Sequence, residues 1–302
     1  MNSLPKVTIG VSAYNRKDLL RLSLNSLLVQ TYKNCEIIVV DDGSTDGTGA
    51  MMKEEFPQIK YIYQENAGDA AAKNHAARAG EGEYIVFNDS DDLFLPDSVE
   101  RLVNALPDGA CKACSYGTYR TIDAAGNPLP TRSKVAEYPS GKITAALLRH
   151  IVVNNCGTLI PRQLFLDRGG FNTSLPVSYD YDFFLRLSLE CDFHALQSAV
   201  FLRRRHSSNL SGASYKKLAV TASVVENFVN DFPELYARYA DIITGRMADF
   251  HNKLRREALR ENKFKEALFH AKEAYRLVPG VKNILNFTAL KIKDMFSSGS
   301  RS

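Results

Sequence analysis

The stretch that decides the fold lies at residues 83–92 and reads Glu83-Tyr84-Ile85-Val86-Phe87-Asn88-Asp89-Ser90-Asp91-Asp92. Residues 84–87 predict a short buried strand, because all four are aromatic or β-branched and no glycine or proline interrupts them. Three carboxylates follow within five positions. Side chains two positions apart in extended chain point to the same side, so we expect Asp89 and Asp91 to face one point and Asp92 to point away.

Carboxylates this close repel one another unless a cation lies among them. A cluster of oxygen ligands suits a hard ion such as Mg²⁺ or Mn²⁺, and such ions usually bridge substrate phosphates. The alternative is structural, because Asp and Ser also cap helices and residues 96–98 predict the start of a helix. Residues 88–92 alone are compatible with both a metal site and a helix cap, so the choice between them depends on the rest of the sequence.

Strand and helix patterns alternate along the first hundred residues. The predicted strands are residues 6–13, 35–40, 61–63 and 84–87. The predicted helices between them are residues 18–30, 49–56 and 70–79. This alternation predicts an α/β fold with a doubly wound sheet and right-handed crossovers.

Polar loops follow three of these strands, at residues 14–16, 41–48 and 88–92. Ligands of doubly wound sheets bind beyond the carboxyl ends of the strands, so we expect one site to collect all three loops. Neither Gly-x-Gly-x-x-Gly nor Gly-Lys-Ser/Thr occurs in the chain. A nucleotide site here would therefore use a metal ion rather than a glycine-rich phosphate loop.

Composition excludes several classes of protein. With 302 residues, 45% hydrophobic and 24% charged, the chain resembles a soluble globular protein with room for one large domain and an appendage. No apolar run approaches 18 residues, and residues 1–6 lack the apolar core of a signal peptide, so neither a membrane span nor secretion is expected.

Five irregularly spaced cysteines indicate a reducing, cytoplasmic compartment. Cys111 and Cys114 are either half of a zinc or redox site or two buried thiols.

The charge is uneven along the chain. Residues 1–210 carry 22 basic and 24 acidic side chains, whereas residues 211–302 carry 16 and 10. The basic excess of the chain therefore lies in its last third. No nucleic-acid partner is expected.

Four motifs occur in a fixed order: residues 7–16, residues 41–46, Asn66-Ala67-Gly68 with Lys73-Asn74, and residues 87–92 with Pro96. Together they resemble the large inverting family 2 of nucleotide-sugar glycosyltransferases, which have the GT-A fold. The resemblance covers residues 5–211. Lys73 stands where that family usually has arginine.

The resemblance implies a role for each loop. Tyr14 would stack on the nucleotide base, and Asp42 would accept the imide hydrogen of the base, with Ser44 nearby. Asp89 and Asp91 would hold Mn²⁺ or Mg²⁺ on the diphosphate of a UDP-sugar. The nucleotide-sugar site implied in this way comprises Ala13, Tyr14, Asn15, Arg16, Asp42, Ser44, Lys73, Asp89 and Ser90. Turn and helix-cap chemistry is the alternative for the residues of the second loop.

Residues 169–172 and 178–186 resemble the Gly-Gly-Phe and Glu-Asp-x-Asp-Leu segments of the family. The match implies that Asp180 is the general base, and Tyr179 stands where the family has glutamate. An inverting transfer needs one base to deprotonate the acceptor hydroxyl. The alternative for Asp180 is a helix cap. Residues 204–211 follow the Arg-x-His-x-x-Asn-x-Ser pattern of the family, and the resemblance makes His206 a further metal ligand or a diphosphate contact. The alternative is a structural or exposed histidine.

Residues 212–302 predict a helical region, with helices at 219–232, 235–259 and 264–278. Residues 262–279 resemble the second half of a tetratricopeptide repeat, which cannot bury its apolar face alone. A last helix at residues 283–296 is basic and amphipathic. It rests either on an anionic membrane or on the other helices.

These features predict a GT-A catalytic domain at residues 1–211 and a C-terminal helical region at 212–302 with one tetratricopeptide-like helix pair. We expect a metal-dependent, inverting hexosyltransferase that moves sugar from a UDP-sugar to a glycan or lipid-linked acceptor in cell-surface polysaccharide or lipopolysaccharide synthesis. Its expected location is the cytoplasm or the inner face of the membrane. The alternatives are a sugar nucleotidyltransferase and a degenerate transferase that acts as a binding module.

Overall fold

The structure, a computed structural model, describes residues 4–107, 112–131, 135–206 and 214–299, without the side chains of 295–299. Cys111 of the predicted cysteine pair lies outside these residues, as do Asn209 and Ser211 of the last motif. The chain divides into two compact units, Met1–Asn209 and Leu210–Ser302.

The predicted alternation of strands and helices is confirmed in the first unit. Its strands are β1 (Val7–Ala13), β2 (Cys35–Asp41), β3 (Lys60–Tyr63), β4 (Tyr84–Asp89), β5 (Leu93–Phe94), β6 (Ala113–Ile122), β7 (Pro128–Leu129), β8 (Thr158–Pro161) and β9 (Asp192–Arg204). Its helices are α1 (Lys17–Leu28), α2 (Thr48–Glu55), α3 (Asp69–Ala79), α4 (Ser98–Asn104), α5 (Thr144–Arg149), α6 (Arg162–Asp167) and α7 (Tyr179–Leu187).

The sheet of the first unit is mixed. Its strand order across the described residues is β3-β2-β1-β4-β8-β6-β9-β5, with β7 paired to β6. β1 to β4 run parallel, and β8 joins them antiparallel to β4. Ala13 pairs with Asp41, and Ser12 pairs with Asp89. This register brings the carboxyl ends of β1, β2 and β4, with the loops that follow them, to one edge of the sheet.

Helix α3 lies close to the sheet because small residues line the contact. A Cβ atom added to Gly10 of β1 would lie 3.1 Å from the Cβ of Ala76 and 3.1 Å from the ring of Phe87. Ala72 and Ala76 of α3 are fully buried. The close approach carries the polar side chains of α3, Lys73 and Asn74, into the interior.

Asn74 attaches the Gly-Gly-Phe segment to α3. Its Nδ2 donates to the carbonyl of Phe171 and its Oδ1 accepts from the amide of Phe171, both at 2.8 Å. Gly170 adopts φ +65°, and a Cβ there would lie 2.5 Å from Asn74 Oδ1. The second glycine of the motif is therefore required both for its backbone conformation and for the space that the Asn74 amide occupies.

The predicted helices of the second unit are confirmed. They are α8 (Tyr215–Asp231), α9 (Glu234–Arg260), α10 (Phe264–Leu277) and α11 (Val281–Gly299). The core between α9, α10 and α11 contains Ala258, Ala267, Ala271 and Leu290. Among the described helices, none is long and apolar enough to cross a membrane.

Replacing Asn74 with alanine should lower the free energy of unfolding by about 3 kcal/mol, because it leaves two buried backbone groups of Phe171 without partners. Urea denaturation followed by circular dichroism would measure the change. Asn172→Ala, at an exposed position of the same loop, is the control and should cost less than about 1 kcal/mol. Equal losses in the two variants would contradict the role given to Asn74.

Candidate active site

The three polar loops predicted to form one site are brought together. The amide of Asn15 donates to Ser44 Oγ at 2.9 Å, and the amide of Thr45 donates to Asn15 Oδ1 at 2.8 Å. Arg16 Nη1 donates to Asp91 Oδ2 at 2.9 Å. Asn15 has φ +49°, a left-handed conformation that asparagine tolerates better than most residues. The first loop thus contacts both of the others.

Ala13 and Tyr14 form the bridge from β1 to the first loop. Ala13 is buried, and its carbonyl accepts from the amide of Asp42 at 2.8 Å. Tyr14 is 50% exposed. A half-exposed aromatic ring at the carboxyl end of β1 offers a flat face to a planar ligand.

Asp42 is buried and holds the loop that precedes α3. Its Oδ1 accepts from Gln64 Nε2 at 2.7 Å and from the amide of Ala67 at 2.8 Å, while Oδ2 accepts from the amide of Gly68 at 2.8 Å. A carboxylate has about four acceptor positions, so these bonds occupy three of them. Asp42 therefore stabilises a turn, as the structural alternative predicted. One acceptor position of its carboxylate remains for a hydrogen bond from a ligand.

The acidic stretch turns after Asp89 instead of continuing as a strand. β4 ends at Asp89, and the amide of Asp92 donates to the carbonyl of Asp89 at 3.0 Å. The expectation that Asp92 points away from Asp89 is wrong for this reason, since strand alternation stops where the turn begins. A carboxylate oxygen of each residue and the sulfur of Cys156 all lie within 4.8 Å of one another. Ser90, the first residue of the turn, is buried.

Asp91 is paired with two cationic or ionisable groups. Its Oδ2 lies 2.9 Å from Arg16 Nη1 and 2.8 Å from His206 Nε2. His206 thus meets the acidic turn through Asp91. Asp92 Oδ1 accepts from the amide of Arg204 at 2.9 Å. Burial, with the negative charges of Asp89 and Asp91, raises the pKa of Asp92 well above its usual value.

The residues of this turn fit a divalent cation. Among the described residues, the group with suitable ligand spacing is Asp89, Asp92 and Cys156. Two carboxylates suit a hard ion such as Mn²⁺ or Mg²⁺, whereas a thiol is a softer ligand and is less suited. A cation would also offset the repulsion by Asp89 and Asp91 that, after burial, raises the pKa of Asp92.

Lys73 has no exposed side-chain surface. Its Nζ lies 2.9 Å from Asp69 Oδ2, 2.6 Å from Asp89 Oδ1 and 2.9 Å from Tyr179 Oη. Burial acts to lower the pKa of Lys73, but Asp69 and Asp89 outweigh it and hold that pKa well above its usual value. These contacts use the three N–H groups of the ammonium, so in this structure Lys73 faces protein groups.

Sequence reasoning missed Asp69 and gave Tyr179 no role. Asp69 accepts hydrogen bonds from the hydroxyls of Ser12 and Tyr179 in addition to its contact with Lys73. Burial acts to raise the pKa of Asp69, but Lys73 and these hydroxyls lower it overall. The i,i+4 spacing of Asp69 and Lys73 at the start of a helix was a usable signal, because such pairs lie on one face. Nothing in the sequence indicated that Tyr179 would join them.

Asp180 lies in the first turn of α7, as predicted from the sequence. Its Oδ1 accepts from the amide of Tyr181 at 2.8 Å, and the residue is half-buried. Burial raises the pKa of Asp180, against the opposing effects of that amide and of Lys73. The neighbouring Tyr179 contacts Lys73, which contacts Asp89, so the start of α7 is joined to the acidic turn.

The sequence matches the model of the family described as Glycosyl transferase family 2 over residues 8–168. An uncharacterized glycosyltransferase of Rickettsia conorii is 34% identical over 206 residues, which are 67% of this chain and 34% of the relative. The chondroitin synthase of Escherichia coli is 32% identical over 228 residues, 73% of this chain and 31% of the relative. The chain therefore spans about a third of the length of these relatives.

Solved structures resemble the chain over nearly its whole length. TarS 1–349 of Staphylococcus aureus superposes with a TM-score of 0.66 at 18% identity, over 97% of this chain and 92% of that one. The mannosyltransferase PcManGT of Pyrobaculum calidifontis gives 0.61 at 17% identity, over 98% and 88%. At such identities the likeness concerns the fold, and it confirms the predicted GT-A type. With a family match over more than half of its residues, the chain belongs to glycosyl transferase family 2.

Proposed function

We propose that this protein is an inverting glycosyltransferase that uses a nucleotide-sugar donor, a divalent cation and Asp180 as general base. The observation that carries the proposal is the position of Lys73 Nζ, which contacts both Asp89 and Tyr179. Through it, the acidic turn and the residue next to Asp180 meet at the edge of the sheet where the polar loops converge. Donor and acceptor groups would therefore lie side by side.

The donor half of the proposal is supported by the first two loops. Tyr14 offers an exposed ring for a base, and Asn15 of the first loop is hydrogen-bonded to Ser44 and Thr45 of the second. TarS has been solved in complex with UDP-GlcNAc, and PcManGT in complex with GDP-Man and Mn²⁺. These complexes support a nucleotide-sugar donor for this protein. The TarS complex supports the expectation that the donor is a UDP-sugar.

Asp89 and Asp91 of the predicted motif, with Asp92 beside them, are the carboxylates that would hold Mn²⁺ or Mg²⁺. Such an ion, when bound, neutralises negative charge on the diphosphate leaving group. Arg16, which faces Asp91, is the group we assign to the phosphate oxygens, because a guanidinium matches phosphate geometry and keeps its charge. His206, the other partner of Asp91, would serve either as a further metal ligand or as a diphosphate contact. Lys73 would act by holding Asp89, not as a phosphate ligand.

Asp180 is the group we assign to accept the proton of the acceptor hydroxyl. A general base is most effective when its pKa is raised toward the working pH, and burial raises the pKa of Asp180. The amide of Tyr181 orients Oδ1, and Oδ2 is the atom we assign to the acceptor hydroxyl. As the proton moves to Asp180, the hydroxyl oxygen bonds to the anomeric carbon from the face opposite the diphosphate. The bond between that carbon and the diphosphate oxygen breaks, the nucleoside diphosphate leaves, and the centre is inverted.

Our proposals for the acceptor and for the biosynthetic pathway rest on the relatives of the chain. The chondroitin synthase of Escherichia coli supports a glycan acceptor and a role in surface polysaccharide synthesis. A lipid-linked glycan would serve the same chemistry. The cytoplasmic face of a membrane is the proposed location, and contact through the C-terminal helices is the proposed means of reaching it.

A thermal-shift screen of UDP- and GDP-sugars with and without Mn²⁺ tests the donor proposal. A UDP-sugar with Mn²⁺ should raise the melting temperature most.

Asp91→Ala should weaken Mn²⁺-dependent UDP binding by about tenfold or more, because a carboxylate that binds the cation is lost. Asp97→Ala, at a half-exposed carboxylate on the residue before α4, is the control. Unchanged Mn²⁺-dependent UDP affinity in Asp91→Ala would contradict the metal role.

Asp180→Asn should leave donor affinity intact while transfer falls by about 10²- to 10⁴-fold. In the unaltered protein, kcat/KM should fall as the pH drops through the raised pKa of Asp180, because a base works only when deprotonated. That acid limb should be missing from the residual activity of the variant. Asp167→Asn, an exposed position on α6, is the control. Equal loss of donor binding and transfer would contradict the assignment.

Tyr179→Phe should lower kcat by about tenfold with donor affinity unchanged, because small displacements of a reacting group are costly. The ring would still pack on Phe171, whose centroid lies 5.0 Å away, while the contacts of the hydroxyl with Lys73 and Asp69 are lost. Steady-state kinetics would separate kcat from KM. The control is Tyr236→Phe at an exposed position of α9. A kcat equal to that of the control would contradict a positioning role.

A further inference from the structure

Helix α11 is fixed in the second unit by one of its faces. Leu290 is buried in a core shared with Ala258, Ala267 and Ala271. The ring of Phe287 stacks on that of Tyr275 with centroids 5.9 Å apart. Asn283 Nδ2 donates to two carbonyls at the end of α10 and just beyond it, those of Ala274 at 3.1 Å and Val278 at 2.8 Å. This face holds the helix in place and leaves the opposite face outward.

The outward face of α11 carries an exposed apolar stripe. Val281 is 75% exposed, Leu285 64% and Ile292 48%. With 3.6 residues per turn, these three positions fall within about 40° around the helix. The exposed Thr288 lies between Leu285 and Ile292 on the same face. Exposed apolar surface of this kind is a candidate binding surface.

Lysines flank the stripe on both sides. Lys282 and Lys293 lie on one side and Lys291 on the other, each roughly 80 to 100° from its middle. All three are exposed. The one acidic residue in the sequence of α11, Asp294, lies about 160° from the stripe. The ammonium of Lys293 lies 5.5 Å from the ring centroid of Phe264, while its side chain stays exposed. The outward face therefore has apolar side chains in the middle and lysines at both margins.

We propose that α11 lies in the headgroup region of an anionic lipid bilayer, with the stripe of Val281, Leu285 and Ile292 inserted between the lipids. Helices that lie in the membrane plane combine an apolar stripe with flanking lysines, whose long side chains reach the phosphates. No described helix can span a membrane, so the proposed contact is peripheral. Two copies of this face brought together would set lysines against lysines, which disfavours self-association.

This inference deepens the membrane contact of the proposed function, and its test needs neither donor nor acceptor. Failure here would leave the transferase proposal untouched. The full chain is mixed with vesicles of phosphatidylcholine alone or with about 30% phosphatidylglycerol, and the bound fraction is measured by flotation. Binding to the anionic vesicles should be at least about tenfold tighter, and should weaken as NaCl is raised because salt screens the lysines.

Matched variants locate the contact. Replacing Lys282, Lys291 and Lys293 with glutamine should weaken binding by about tenfold or more. Replacing Lys216, Lys265 and Lys272, exposed lysines of the same unit, removes equal charge and should leave binding unchanged. Leu285→Asn with Ile292→Asn should lose binding even at low salt. Leu22→Asn with Val29→Asn, exposed on α1 and just after it, should not.

Four outcomes would overturn the proposal. They are no binding of the unaltered chain, equal binding to neutral and anionic vesicles, equal weakening by the two lysine sets, and equal weakening by the two apolar pairs. A fifth is self-association of the chain that stops in Leu285→Asn without any change in vesicle binding, because a second copy would then cover this face.

Discussion

The ammonium group of Lys73 has no exposed surface, and an unpaired charge there would cost several kcal/mol of stability. Asp69, Asp89 and the hydroxyl of Tyr179 satisfy it. These partners come from α3, β4 and α7, so one buried charge makes three elements mutually dependent. Any ligand that displaces Asp89 must also leave Lys73 with enough acceptors.

The burial of Lys73 follows from how closely α3 approaches the sheet. Gly10 on β1 and alanines on α3 allow this approach, and a Cβ at Gly10 would require α3 or the ring of Phe87 to shift by a few tenths of an ångström. The same approach puts Asn74 within reach of Phe171, which fixes the segment leading to α7. Small residues in the core thus determine where the polar side chains of the site are held.

The acidic turn shows how the fold balances charges that repel one another. Asp89 is paired with Lys73, and Asp91 is paired with Arg16 and His206. Asp92 has a backbone amide as a partner, and its pKa is raised well above the usual value by burial and by the other two carboxylates. Burial and two neighbouring carboxylates thus disfavour a charge on Asp92, and a bound cation would favour it.

The sequence by itself determined the order of strands and helices, the parallel half of the sheet and the edge where the polar loops meet. These features follow from local periodicity and from the rule that parallel strands end on one side. It also predicted Asp180 at the start of a helix. Only the tertiary structure brought Asp92 close to Asp89, because a single turn after β4 ends the alternation of a strand. Only the tertiary structure buried Lys73 and joined Asp69 and Tyr179 to it, because residues 110 positions apart meet only after the sheet and α7 have packed.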